Sequence, residues 1–215
     1  MRVVFVLLLY ICVMKNITFI LFLGLVTLIS AQPAQEETST TKPKSLYIKG
    51  NILTLPLSII NGGLEYQLAP KYTIQGDILI SPWKSAFGNH MQIYMGHLEG
   101  RYYFKEAFNG WYVGANVGGG VFDMTKWNYL DTKKYQRGFN YMIGAVVGYQ
   151  YQWKDKWNID FFLGGGTSQG FYHGYEPTEE PPHFLKRYES HPDYWNKSGE
   201  WIPYRGGIMI SYKLR

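Results

Sequence analysis

Residues Tyr149 to Gly166 read YQYQWKDKWNIDFFLGGG. Tyr149, Tyr151 and Trp153 fall on alternate positions, Lys154-Asp155-Lys156 turns the chain, and Trp157, Ile159, Phe161 and Leu163 resume the alternation. Gln150, Gln152, Asn158 and Asp160 occupy positions between them. A period of two places the two sets on opposite faces of a hairpin. A soluble sandwich would bury the aromatic face against a second sheet, whereas a membrane barrel turns it to lipid and keeps the polar face inside. The rest of the chain decides between them.

Composition favours strands. The 215 residues include 24 Gly and 18% aromatics, with only 17% charged residues against about 25% in average globular chains. Gly with Tyr and Trp suits tight turns and pleated strands. The net charge of +5 attracts phosphate groups, but no run of Lys and Arg forms a nucleic-acid patch, so no nucleic-acid partner is expected. Residues 1–31 read as a signal peptide: Met14 and Lys15 start a charged region, Ile17 to Ile29 is apolar, and Ser30-Ala31 offers a cleavage site. Met14 is a second candidate start. A retained membrane anchor is the competing reading, and Lys15 within a span weighs against it. Cys12, the single cysteine, falls in this segment, which leaves the exported part without disulfide or thiolate–metal chemistry. Residues 32–45 are polar and contain Pro, a flexible periplasmic leader.

From Leu46 the alternation recurs over 46–55, 62–69, 71–82, 91–104, 110–122, 138–153, 157–168 and 200–213. The expected links alternate short and long: short at 70, 105–109 and 154–156, long at the other end. Short periplasmic turns opposite long outer loops mark outer-membrane barrels. One face carries Ile48, Leu64, Ile78, Leu98, Val113, Val117, Ile143, Val147, Phe161, Leu163 and, near the C-terminus, Tyr204 and Ile208. Tyr66, Tyr72, Tyr102, Trp111, Tyr149, Tyr151, Trp157 and Tyr212 gather at strand ends on that face, as an aromatic girdle. The other face sets Glu65, Asp77, Glu99 and Asp160 against Lys49, Arg101, Arg205 and Lys213. Unpaired charges are costly in a dry core, but an eight-stranded interior, just filled by side chains, can pair them into a plug. Gly114, Gly118, Gly144 and Gly148 give the long cations room. The prediction for 46–215 is therefore all-β: an eight-stranded antiparallel up-and-down transmembrane barrel of the outer-membrane type. A lipocalin-like soluble barrel, with the two faces exchanged, is the alternative.

The order and spacing of IKGN (48–51), NGGLEYQLAPKYTIQGD (61–77), SPWK (81–84), GRYYFKEAFNGWYVGANVGGGVFD (100–123), YQRGFNYMIGAVVGYQYQWKDKWNIDFFLGGG (135–166) and YRGGIMISYKLR (204–215) resemble an uncharacterised Bacteroidota outer-membrane family, domain of unknown function 3575. The resemblance spans nearly all of Ile48 to Arg215. It implies a barrel in the outer membrane of a Gram-negative cell, with both termini periplasmic, and brings no catalytic residues.

Chemistry is sparse. His173, His183 and His191 with Glu179, Glu180 and Asp193 match no tight metal-ligand spacing, and no metal or other cofactor is expected. Ser168, His173 and Glu176 are the candidate set for a lipid A-modifying enzyme, which needs nucleophile and base within hydrogen-bond reach; the expectation is a non-enzyme. His97 belongs to the interior. Partners expected are outer-membrane lipid and, through loop 169–199, a surface protein or glycan. Function is placed in loops 84–90, 123–137 and 169–199, as surface contact or membrane architecture.

Overall fold

Period-two alternation runs long enough in this chain to close a sheet on itself. The computed structural model describes residues 44–86, 89–126, 130, 132, 134–177, 185–187 and 194–215. The expected signal peptide and all but the end of the leader lie outside them. The strands are β1 (Leu46–Asn51), β2 (Ile60–Ala69), β3 (Tyr72–Ala86), β4 (Asn89–Tyr103), β5 (Gly110–Met124), β6 (Tyr135–Lys154), β7 (Trp157–Pro177), β8 (Leu185–Arg187) and β9 (Asn196–Lys213). Each of the eight long strands pairs antiparallel with its neighbours, and β9 pairs with β1 through Tyr47↔Lys213 to complete a ring. The three-residue β8 only extends the far end of β7.

Several boundaries differ from the sequence reading. β1 stops at Asn51 because its side chain accepts a hydrogen bond from the Leu53 N–H at 3.2 Å, turning the chain into a short 3-10 helix at Leu55–Leu57 with Pro56 inside it. β3 and β4 continue past the expected ends, and Ala86 pairs with Asn89. The region 84–90 is thus the tip of a hairpin and not a long loop. The opposite-end link between β4 and β5, residues 104–109, is longer, so strict alternation of short and long links fails there. β6 and β7 span 20 and 21 residues against 6 for β1, and the ring stands tallest on that side. The same extensions carry β5 to Met124 and β7 to Pro177 and start β6 at Tyr135, taking residues from the expected loops 123–137 and 169–199.

The two faces divide as alternation predicts, apart from one slip. The register shifts between Gly164↔Arg205 and Gly165↔Pro203, leaving Tyr204 as the extra residue of a β-bulge. Pro203 has no N–H to give the ladder, and a bulge is where a sheet tolerates it. The bulge turns Tyr204 inward, not outward as expected: its hydroxyl donates to Asn116 Oδ1 at 2.7 Å and its ring stacks on His97. The glycines expected to make room for cations lie instead closest to the side chains of Val146, His97, Tyr204 and Tyr112. A Cβ on Gly148 would lie 2.7 Å from Cε1 of Tyr112, and one on Gly114 would lie 2.8 Å from Val146 Cγ1 and 3.5 Å from Arg101 Cγ.

Gly148→Ala overpacks the interior against Tyr112, a change that costs about 1–3 kcal/mol in well-packed cores. Its unfolding midpoint in detergent falls below that of Ala145→Gly, a change on the outer face. Equal midpoints would remove Tyr112 from the interior position described.

Candidate functional site

Two sites stand out, one inside the ring and one on its outer wall. Inside, alternation brings together residues that are distant in sequence. Lys49 from β1 holds Glu65 Oε2 at 2.7 Å, Asp160 Oδ2 at 2.5 Å and Gln75 Oε1 at 3.0 Å. Arg101 from β4 donates through Nε to Glu99 Oε1 at 2.5 Å and through Nη1 to Asp160 Oδ2 at 2.8 Å and Glu65 Oε2 at 3.2 Å. Arg205 Nη2 reaches Asp77 Oδ2 at 2.7 Å and Glu99 Oε2 at 3.1 Å; the second is an ion pair by distance without hydrogen-bond alignment. All seven charged side chains are buried, and Glu65, Glu99 and Asp160 have no exposed surface.

Neutral groups complete the shell. Thr73 donates to Glu65 Oε1 at 2.6 Å, and Tyr112 donates to Asp160 Oδ1 at 2.8 Å. The Tyr103 hydroxyl lies 2.8 Å from Glu65 Oε1 and 2.5 Å from Gln150 Oε1. One hydroxyl proton cannot serve two acceptors. With the Gln150 amide turned, Nε2 donates to Tyr103, and Tyr103 donates to Glu65. Arg101 also lies 4.4 Å above the Tyr112 ring.

Lys213 does not join this cluster. It shares the inward register but sits half-buried at the end of β9, with no ion pair among the described residues. Strand ends splay toward solvent, where alternation still fixes the face but no longer the burial. Three cations, Lys49, Arg101 and Arg205, therefore meet four carboxylates, with His97 Nδ1 3.6 Å from Asp77 Oδ1. Beside the charges, Tyr103, Tyr112, Val146, Phe162 and Met209 pack into an apolar cluster within the ring. Phe108, in the left-handed region at φ 68°, tucks its ring 4.4 Å from that of Tyr47 at the turn end. Tyr47, Tyr103, Tyr112 and Phe162 sit on the polar register of their strands, a signal the sequence contains. A cavity of about 50 Å³ lies among Arg205, His97 and Tyr204. A lipocalin-like interior, apolar and open for a ligand, is not what these residues form.

The outer face is apolar. Ile143 is 56% exposed and Leu163 62%, with Ile78, Leu98, Val117 and Val147 alike. The expected girdle lies on this face in cross-strand pairs: Tyr72 with Tyr102 at 5.2 Å, Trp111 with Tyr149 at 5.3 Å, and Trp157 with Tyr212 at 4.8 Å. Tyr66 and Tyr151 share its turn-end register.

The second site lies on the outer wall at the opposite end; its charged residues fall within the expected loops 84–90, 123–137 and 169–199, and of them the sequence reading had singled out His173. A groove of about 630 Å³ runs over β3 to β7, lined by Lys84, His90, Asp123, Arg137, His173 and Trp195 among others. Asp123 is its hub: Oδ1 meets His90 Nδ1 at 2.9 Å, and Oδ2 accepts from Arg137 Nε at 3.0 Å and Nη2 at 2.7 Å. Arg137 lies over Tyr135 and Tyr175, and His90 stacks on Tyr135 at 4.0 Å. Cross-strand register, Gln92↔Asp123↔Arg137↔His173, makes this site, and it becomes visible only when strands are aligned.

The candidate catalytic set does not assemble. Ser168 pairs with the inward Met142 and accepts from Asn140, whereas His173 pairs with the outward Arg137 and packs on Trp195. An odd offset along one extended strand sends the two to opposite faces. Glu176 meets Lys134 at 3.6 Å instead. Glu179, Glu180, His183, His191 and Asp193 lie outside the described residues.

Arg101→Met removes the cation that buried Glu99, Asp160 and Glu65 share, leaving Lys49 alone for Glu65 and Asp160 and Arg205 alone for Glu99, and breaking a buried pair in this way costs about 3–5 kcal/mol. Lys213→Met stays within about 0.5 kcal/mol of the parent. Unfolding midpoints in detergent that fall equally for both would mean that the cluster is not where the stability resides.

No curated protein and no solved structure matches the chain. A family model described as protein of unknown function (DUF3575) matches residues 17–198, and the chain belongs to that family.

Proposed function

We propose that the chain is a small outer-membrane β-barrel, closed to permeation by its interior ion pairs, that works without catalysis at the cell surface. One observation carries this reading: the burial pattern is inverted. Charged side chains fill the inside of the ring, while Ile, Leu, Val and Phe stand exposed around the outside. In water such a band would be an aggregation surface far larger than the few hundred Å² a soluble monomer exposes. In a bilayer it is the lipid contact, flanked by the turn-end Tyr and Trp pairs as interfacial anchors. The ring closes where β1 pairs with β9 over Tyr47–Asn51 and Met209–Lys213, in line with the need of strands that span a membrane to pair their edges.

The absence of a wide interior supports a structural or adhesive role over a porin's. Lys49, Arg101 and Arg205 tie different walls of the ring together, so ion passage would require breaking buried pairs. Surface contact falls to the end of the ring opposite Leu46 and Lys213, where β5 ends at Met124, β6 begins at Tyr135 and β7 ends at Pro177. The taller β6–β7 side presents the last two of these ends, with β9 beside them.

In cells expressing the tagged chain, the protein is expected in the outer-membrane fraction. Unboiled samples should run faster than boiled ones on a denaturing gel, as closed barrels do. A soluble periplasmic protein without a mobility shift would contradict the membrane assignment, and current steps in a planar bilayer would contradict the closed interior.

A further inference from the structure

We infer that the outer-wall groove at Asp123 and Arg137 binds an anionic, phosphate-bearing membrane lipid. The headgroup lies against Arg137 and Lys84, and an acyl chain runs down Val121 and Phe139. This rests on the membrane reading above, because it needs the outer wall to face lipid.

The polarity of the wall changes here within one pleat repeat. Tyr94, Val121, Phe139 and Phe171 form a continuous cross-strand apolar row. Two residues further along each strand the row becomes Gln92, Asp123, Arg137 and His173. That step covers about 7 Å at roughly 3.3 Å per residue. A groove that is apolar below and cationic above, open along its length to the lipid-facing band, is shaped for an amphiphile. Its volume of about 630 Å³ falls within the usual range of about 300–1,000 Å³ for small-molecule sites.

Charge selects the sign of the headgroup. Asp123 is the single carboxylate among the described lining residues, and both of its oxygens are engaged, by His90 and by Arg137. It offers little to a cation and serves to aim the guanidinium. Arg137 uses its Nε and Nη2 edge on Asp123, remains half-exposed, and is held over the Tyr135 and Tyr175 rings. Nη1 is left for a ligand. A guanidinium fixed this way loses little freedom on meeting a phosphate oxygen. Exposed Lys84 supplies a second cation from β3. Lys197, 5.9 Å over the Phe171 ring on the adjoining wall, supplies a third.

The test is native mass spectrometry of the full chain in a neutral maltoside detergent. The probes are bisphosphorylated lipid A, the same lipid without its phosphates, and inorganic phosphate as competitor. One adduct of the phosphorylated lipid is expected, at least about tenfold tighter than the dephosphorylated form, or about 1.4 kcal/mol. Lys84→Gln, and the paired change Asp123→Asn with Arg137→Gln, should each weaken it by a similar factor. The paired change leaves no carboxylate stranded, and the boiled-versus-unboiled shift certifies that each variant is folded. Equal adducts for both lipids, or unaltered adducts in folded variants, would overturn the site and leave the membrane reading standing. Displacement by inorganic phosphate as effective as by the lipid would mean a free-anion site and overturn the lipid assignment. A chain that shows no mobility shift in any membrane fraction would fail the membrane reading, and the inference with it.

Discussion

Lys49 and Arg101 share Glu65 and Asp160 in a place with no exposed surface, and the rest of the molecule follows from that arrangement. Moving a charge out of water costs several kcal/mol, and only close partners with complete hydrogen bonding offset it. Here the partners come from five strands, β1, β2, β3, β4 and β7, if Gln75 is included. Such a cluster cannot form until the sheet has closed. It therefore couples ring closure to charge pairing and fixes the register of every strand that contributes, because a slip by one residue would send each charge to the outer face.

Closure around charges also dictates the outside. With the inward register spent on polar groups, glycine and the Tyr103–Tyr112 cluster, the aliphatic residues have only the outer face left. Glycine is what lets the interior close so tightly: Gly148 lies beneath Tyr112 and Gly114 beside Val146, in positions where a methyl group would collide. The bulge at Pro203 follows the same logic in reverse. It breaks the alternation once and brings Tyr204 and Arg205 inward in succession, so that one fills space beside His97 while the other pairs with Asp77.

Much of this was legible from residue alternation. Strand number, antiparallel order and the identity of seven interior charges all follow from a period of two. What was not legible depended on neighbours across the sheet. Asn51 and Pro56 ended β1 through a local side-chain bond that competes with the ladder. Strands β3, β4, β6 and β7 ran on through polar residues, since a hydrogen-bonded hairpin needs no apolar face once it rises above the hydrophobic band. The face of Tyr204 depended on a bulge, and the isolation of Lys213 on strand-end splaying. The groove at Asp123 escaped for the same reason: His90, Asp123, Arg137 and His173 are adjacent only through register. Ser168 and His173 show the converse, neighbours in sequence that the strand separates.

The central claim is that lipid touches the face bearing Ile143 and Val147 while the face bearing Gln150 and Asp160 is sealed within. Cys12, the chain's single cysteine, precedes the barrel residues, so replacing it permits single-site spin labels along β6. Labels at Phe139, Ile143, Val147 and Tyr151 in reconstituted bilayers would be read for collision with oxygen and with a water-soluble nickel complex. The account predicts oxygen collisions highest at Ile143 and Val147, falling toward Phe139 and Tyr151, with nickel collisions in the opposite order. Nickel collisions high at all positions would place that face in water and contradict the inverted barrel.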